Sequence, residues 1–397
     1  MKIKDLKARQ ILDSRGNYTV EVSLFTDNGE FKASCPSGDS TGKKEALELR
    51  DADGGVLEAV SNVNEKIYPL LKNEDILNQE VLDKKMIELD GTGNKSNLGA
   101  NAILPVSIAA LKAAASHYSI SPYSYIEKIY GKRSLFPLPS FNIINGGAHA
   151  GNNLDIQEFM VIPQGERYSD NLSSGASIYN KLKKLLRERY GKEALNVGDE
   201  GGFAPFISRA DEALDLIKEV IDKDVRIGLD CAASYYYKSG EYHMEKAVFT
   251  REGLIKFYND LIQRYPIDFI EDPFDEDDIE SWKRSGEIKD AAVIGDDLTV
   301  TNEKLIREAS SYINGVIIKL NQIGTVTETI NAIKEARKNN LKIIVSHRSG
   351  ETTDSFIADL AVGVSADYIK TGAPARGERV VKYNRLLEIY EELKNEE

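Results

Sequence analysis

Seven segments of the chain each run into an ionisable residue, and those residues are sorted by sign along the sequence. The acids come first: Glu200 after ALNVGD, Asp230 after VRIGL, Glu271 after IDFI and Asp296 after AAVIG. The bases follow: Lys319 after NGVII, His347 with Arg348 after LKIIVS, and Lys370 after ADYI. A single acid at the end of a strand is ordinarily a helix cap, but a whole series segregated by charge is hard to assign to caps. Asp230, Glu271 and Asp296 offer three hard oxygen ligands, a set that suits Mg²⁺ completed by water or substrate oxygens. Lys319 is expected among cations, namely the metal, Arg348 and Lys370. Positive neighbours lower an ammonium's pKa and make it a usable general base. Arg348 and Ser349 add a forked cation and a hydroxyl, the donors a phosphate needs. The chemistry implied is removal of a proton, by a lysine, from a metal-bound carboxylate or phosphate.

Such side chains need elements that bring them to one place. From about residue 140, short apolar segments at 225–230, 267–272, 291–297, 314–320, 341–348 and 366–370 alternate with amphipathic stretches such as REGLIKFYNDLIQRY and VTETINAIKEARKNN. Repeated βα units predict a parallel sheet covered on both faces. The number of units, without a Gly-x-Gly-x-x-Gly opening, favours a closed barrel over a dinucleotide fold. In such a barrel the C-terminal strand ends surround one point. The first 130 or so residues read differently, as an α+β unit. Strands are expected at 18–24 and 31–35 around the turn Asp27-Asn28-Gly29, then a loop at 36–42, with helical stretches at 44–49, 56–71 and 100–115. Gly131, Pro137 and Pro139 punctuate the junction, giving an N-terminal domain over 1–132 and a barrel over 133–397.

Composition narrows the partners. A formal charge of −13 disfavours non-specific binding to nucleic acid or an anionic membrane, so an anionic substrate would need local cations. The two cysteines, Cys35 and Cys231, have no zinc-ligand or paired spacing. The opening MKIKDLKARQILDSRG lacks an apolar signal core, and the apolar run 100–115 is shorter than the roughly 20 residues a membrane span takes. The expectation is a cytoplasmic protein with no membrane or nucleic-acid partner.

The strings ILDSRGN (11–17), PSGDSTG (36–42), NGGAHAGN (145–152), QEFM (157–160), NVGDEGGFAP (196–205), IGLDCA (227–232), IEDPF (270–274), DDLTVTN (296–302), KLNQIGT (319–325), SHRSGET (346–352) and IKTGAPARGER (369–379) together resemble enolase. The resemblance implies an α/β fold in which a small N-terminal α+β domain caps a modified eight-stranded β/α (TIM-like) barrel, usually in homodimers or larger homo-oligomers. It implies a lyase of glycolysis and gluconeogenesis, phosphopyruvate hydratase, interconverting 2-phosphoglycerate and phosphoenolpyruvate with two Mg²⁺ per site. Asp230, Glu271 and Asp296 match the ligands of the first metal. The second arrives with substrate and is held in part by Ser40. Lys319 matches the base that takes the C2 proton, and Lys370 a cation that stabilises the enediolate. Glu200 matches the acid for the C3 hydroxyl, with Glu158 beside it; two adjacent carboxylates favour one staying protonated. His149, on a glycine-rich lid, would close over the phosphate end, and Gln157, Arg348 and Ser349 match substrate-binding positions with His347 adjacent. Some positions depart from the family's usual pattern: Asp39 replaces a small residue, Ala233-Ser234-Tyr235 replaces Ser-Ser-Glu, Gly93 replaces Glu, and Pro105 replaces a glycine. Asp39 leaves room for another phospho- or phosphono-carboxylate substrate. The complete set of acid, base and metal positions argues against a non-catalytic scaffold.

Overall fold

Short runs rich in Val, Ile and Leu cannot leave either face in water, and in this chain they close on one another. A computed structural model describes residues 1–38, 42–131 and 136–396. The N-terminal part is an antiparallel meander of β1 (Asp5–Leu12), β2 (Tyr18–Thr26) and β3 (Gly29–Ser34). The Asp27-Asn28-Gly29 turn lies where expected; β1 was not foreseen. Helix Ala100–His117 packs on β2 and β3 with nearly every side chain buried, Pro105 included. Its Leu104 and Ile108 line a hollow shared with Lys319, Ser346 and Arg348, so it also meets the second domain.

One expected helix is absent. Residues 44–49 are irregular because their amides bond elsewhere: Ala46 N–H donates to Gln322 O at 2.8 Å and Leu47 N–H to Asn94 O at 2.8 Å. These bonds stitch the segment to the barrel and to its own domain, where a helix would have spent them internally. The stretch expected as one helix at 56–71 is helical from Leu57 to Leu71, with a π-helical middle at Asn62–Ile67.

The second domain is a closed eight-stranded barrel. Its strands are β4 (Leu138–Asn145), β5 (Glu158–Pro163), β6 (Val225–Asp230), β10 (Ile267–Glu271), β11 (Ala292–Gly295), β12 (Gly315–Ile318), β13 (Lys342–Ser346) and β14 (Tyr368–Lys370). A separate three-stranded sheet lies between β6 and β10: β7 (Tyr237–Lys238), β8 (Glu241–Met244) and β9 (Ala247–Phe249). Around the barrel the order is β10-β11-β12-β13-β14-β4-β5-β6. The expectation of a wholly parallel sheet fails at one strand. β4 and β5 form a hairpin, so β5 runs antiparallel to both β4 and β6. The expected 132/133 domain boundary falls among residues outside those described.

Inside the barrel sits a compact apolar plug of Met160, Ile162, Phe269, Ile294, Ile317, Ile344 and Tyr368. β6 sends no large side chain into it. A Cβ on Gly228 would lie 2.6 Å from the Phe269 ring, so this glycine makes room for the phenyl group. Among the described residues, no single helix is long and apolar enough to cross a membrane.

Candidate active site

Side chains on a strand alternate between faces, so the residue two positions beyond an inward-facing one also faces inward. Applied to the apolar plug, this rule places the ionisable residues at the barrel mouth. Ile317 leads to Lys319, Ile294 to Asp296, Phe269 to Glu271, Tyr368 to Lys370 and Gly228 to Asp230. β5 runs the other way, so its first residue, Glu158, reaches the same end and pairs with Asp230 and Asn145. The hairpin is what delivers Gln157 and Glu158 to the mouth.

One cavity there is lined by His149, Gln157, Glu158, Glu200, Asp230, Asp296, Lys319, His347, Arg348, Ser349 and Lys370, all expected, and by Ala232, Asp272, Asp297 and Ser346. Glu271 lies just behind it, fully buried. Ser40 and Asp39 fall outside the described residues. Glu200 corrects an expectation: it ends no barrel strand. It sits in a turn between helices Tyr168–Tyr190 and Ala210–Val220, brought to the mouth by a bridge pairing Ile144 with Phe203. The turn is close-packed, for a Cβ on Gly198 would meet His149 O at 2.4 Å.

The acids and lysines are interleaved. Lys370 Nζ lies 2.8 Å from Asp230 Oδ2, 2.7 Å from Glu271 Oε2 and 3.1 Å from Glu158 Oε1. Burial opposes its charge, but these carboxylates hold its pKa well above the lysine range. Lys319 pairs with Asp296. The expected depression of the lysine pKa belongs to a site with the metal, Arg348 and Lys370 around it; the pairing with Asp296 acts the other way. Burial and the Arg348 and Lys370 charges push it down, yet contact with the Asp296 carboxylate wins and raises it. The three expected metal ligands are likewise split, two around Lys370 and one on Lys319. The second oxygen of Asp296 accepts from Gln322 Nε2 at 3.0 Å, and Thr301 Oγ1 donates to Gln322 Oε1 at 2.8 Å.

Across the mouth, oxygens of Glu158 and Glu200 and a ring nitrogen of His149 lie within 4.8 Å of one another. Burial, with the nearby Glu200 charge, pushes Glu158 well above the carboxylate range. Burial acts the same way on Glu200, but the His149 and His347 rings and the Lys370 ammonium beside it hold Glu200 low. Asn142 and Asn145 donate to Glu200 Oε2 at 2.8 and 3.1 Å, as they would to a carboxylate. Of the two, Glu158 is the one whose surroundings favour the protonated form. Arg348 is held by Glu45, with Nη1 2.8 Å from Oε2 and Nη2 3.3 Å from Oε1.

A family model described as "Enolase, N-terminal domain" matches residues 3–126, and one described as "Enolase, C-terminal TIM barrel domain" matches residues 133–397. The chain belongs to the enolase family.

This enolase-family site can hold a metal ion. Glu271 Oε1 is buried without a hydrogen-bond partner, and with Asp230 and Asp296 it supplies three carboxylates, the hard oxygen donors a divalent cation of the Mg²⁺ type takes. Among the described residues, the acidic group whose oxygens already have the spacing for an ion is Asp272, Asp296 and Asp297. There, burial and the adjacent Asp296 push Asp297 up to about 8. Sequence reading missed Asn142, Asn145, Asp272, Asp297, Glu45 and Arg379. Asn145, Asp272, Asp297 and Arg379 lie inside strings quoted for the resemblance. Asn142 could have been found by the period-two rule on β4, whereas Glu45 gives no sign without the contact to Arg348.

Proposed function

We propose that this enolase-family chain is a phosphopyruvate hydratase, the glycolytic and gluconeogenic lyase that interconverts 2-phospho-D-glycerate and phosphoenolpyruvate with Mg²⁺. The observation that carries the reading is the position of base and acid. β12, which ends beside Lys319, and β5, which begins at Glu158, are four strands apart in an eight-stranded ring. They stand on opposite walls of one mouth, and a three-carbon substrate between them would meet a proton acceptor on one side and a proton donor on the other.

Asp230, Glu271 and Asp296 would hold the first Mg²⁺, and Ser40 would share in the second. When bound, the metal ions supply positive charge that acidifies C2 and neutralises the substrate carboxylate and phosphate. Lys319 takes the C2 proton once Asp296 has another partner. Glu200 faces the C3 hydroxyl and passes it the proton that its neighbour Glu158 holds, so that hydroxyl leaves as water. Lys370 sits where a doubly charged carboxylate would need a cation. Gln157, Arg348 and Ser349 orient the substrate, and His149 closes the side next to Glu200, shutting water out. The reading includes a cytoplasmic homodimer or higher homo-oligomer, open to sedimentation.

The test is the rise in phosphoenolpyruvate absorbance on adding 2-phosphoglycerate and Mg²⁺ to the purified protein. Chelation should abolish it and Mg²⁺ restore it. No turnover at saturating substrate and metal sinks the proposal; turnover of a related phospho-carboxylate instead would reassign the substrate.

A further inference from the structure

Arg379, from the string IKTGAPARGER, is fully buried, and its ion pair with Glu378 is long, with Nε 3.5 Å from Oε1. A buried guanidinium with so long an ion pair is costly unless its other donors are well used. Here they are. Nη1 donates to Arg348 O at 2.7 Å and lies 2.7 Å from His347 Nδ1. Nη2 donates to Ser349 O at 2.7 Å and to Asp199 O at 3.1 Å. One side chain thus ties the exit of β13 to the residue preceding Glu200.

The contact with His347 has a stronger consequence. Arginine has no acceptor, so Nδ1 must be the acceptor and carries no proton. The ring proton then sits on Nε2, which lies 3.4 Å from Glu200 Oε1 and makes no hydrogen bond among the described residues. We infer that Arg379 is a positioning residue: it locks His347 as the neutral Nε2–H tautomer, keeps that N–H beside Glu200, and anchors the turn that carries Glu200. Burial, with Arg379, Lys370 and Lys382, also holds His347 well below the usual histidine range despite the opposing Glu200 charge. The role in turnover rests on the proposed hydratase reading; the tautomer does not.

The experiment is ¹⁵N–¹H correlation of ring signals in the full-length protein labelled at its histidines, with His347 assigned by its loss in His347→Gln. From about pH 6 to about pH 8, where an ordinary histidine titrates, His347 should show one neutral Nε2–H form. An Nδ1–H form, or an imidazolium in this range, would overturn the inference whatever the substrate is. In Arg379→Met the single tautomer should be lost and kcat should fall about 10- to 100-fold, the usual size for groups that orient a working histidine, with KM moving less than about threefold. An unchanged tautomer in that variant would also overturn it. Should Arg379→Met fail to fold, the spectrum of the unaltered protein decides alone.

Discussion

The two ends of the barrel are built on the same strands and share no chemistry. At the closed end, Met160, Ile162, Phe269, Ile294, Ile317, Ile344 and Tyr368 fill the interior with apolar volume. One pleat further, the same faces present Glu158, Glu271, Asp296, Lys319 and Lys370. The lower layer gains stability from close packing and burial. The upper layer buries charges that repel, and each needs an opposite charge or an amide donor to remain there. A strand therefore changes from scaffold to site within two residues, and the upper layer is tolerable because the lower one holds the barrel closed.

Substitutions at the two ends should separate these roles. The largest effect is expected from Lys319→Ala, which removes the base without touching the plug. Turnover of 2-phosphoglycerate should fall by about 10²–10⁴-fold, the range for general-base loss. Retention of more than about a tenth of the activity would exclude Lys319 as the base. At the other end, Phe269→Ala should cost about 3–5 kcal/mol in denaturant unfolding. Gly228 offers no side chain to refill the space, so the upper half of that range is expected. In material that stays folded, KM should change little; loss of metal binding with normal stability would show that the plug tunes the site directly.

A third variant asks whether charge at the mouth opposes folding. Glu158 is pushed up by burial and by Glu200. Between its unfolded pKa, near 4.3, and its raised folded value, the native state holds a proton that the unfolded chain has lost. Stability contributed by Glu158 is thus greatest at low pH and falls as pH rises through that window, by at most about 1.4 kcal/mol per pH unit. Glu158→Gln cannot lose the proton and should flatten this slope as pH rises above about 5. Identical pH–stability curves for both proteins would place the pair's proton elsewhere.

What the sequence disclosed follows the same division. The charged ends of β6, β10 and β14, and the residues just past β11, β12 and β13, were legible because a buried parallel strand is a continuous apolar run and its last residue stands out. β4 and β5 are equally buried but form a hairpin, and no crossover helix between them marked the unit, so their strands and the inward aim of Asn142 went unseen. Glu200 was assigned to a strand because ALNVGDE looks like one; only the pairing of Ile144 with Phe203 shows that the chain passes as a turn. The contact of Lys319 with Asp296 went unread because sequence names the cations around the lysine and not its distance to an acid. Contacts such as Arg348 with Glu45, 303 residues apart in the chain, leave no local trace at all.

The smallest predicted effect tests how sharp the border between the two ends is. Ile317 is fully buried in the plug and is the inward-facing neighbour directly below Lys319. Ile317→Val removes one methyl group and keeps the β-branch that suits the strand, so a loss of about 0.5–1.5 kcal/mol is expected. A rigid backbone would confine that cost to stability, because the Lys319 amide is separately held by Thr301 Oγ1 at 2.9 Å. If kcat instead falls more than about tenfold while stability drops within that range, the missing methyl has moved the lysine. Angstrom-scale misplacement of a reacting group is known to cost that much or more. The plug would then set the geometry of the mouth as well as support it.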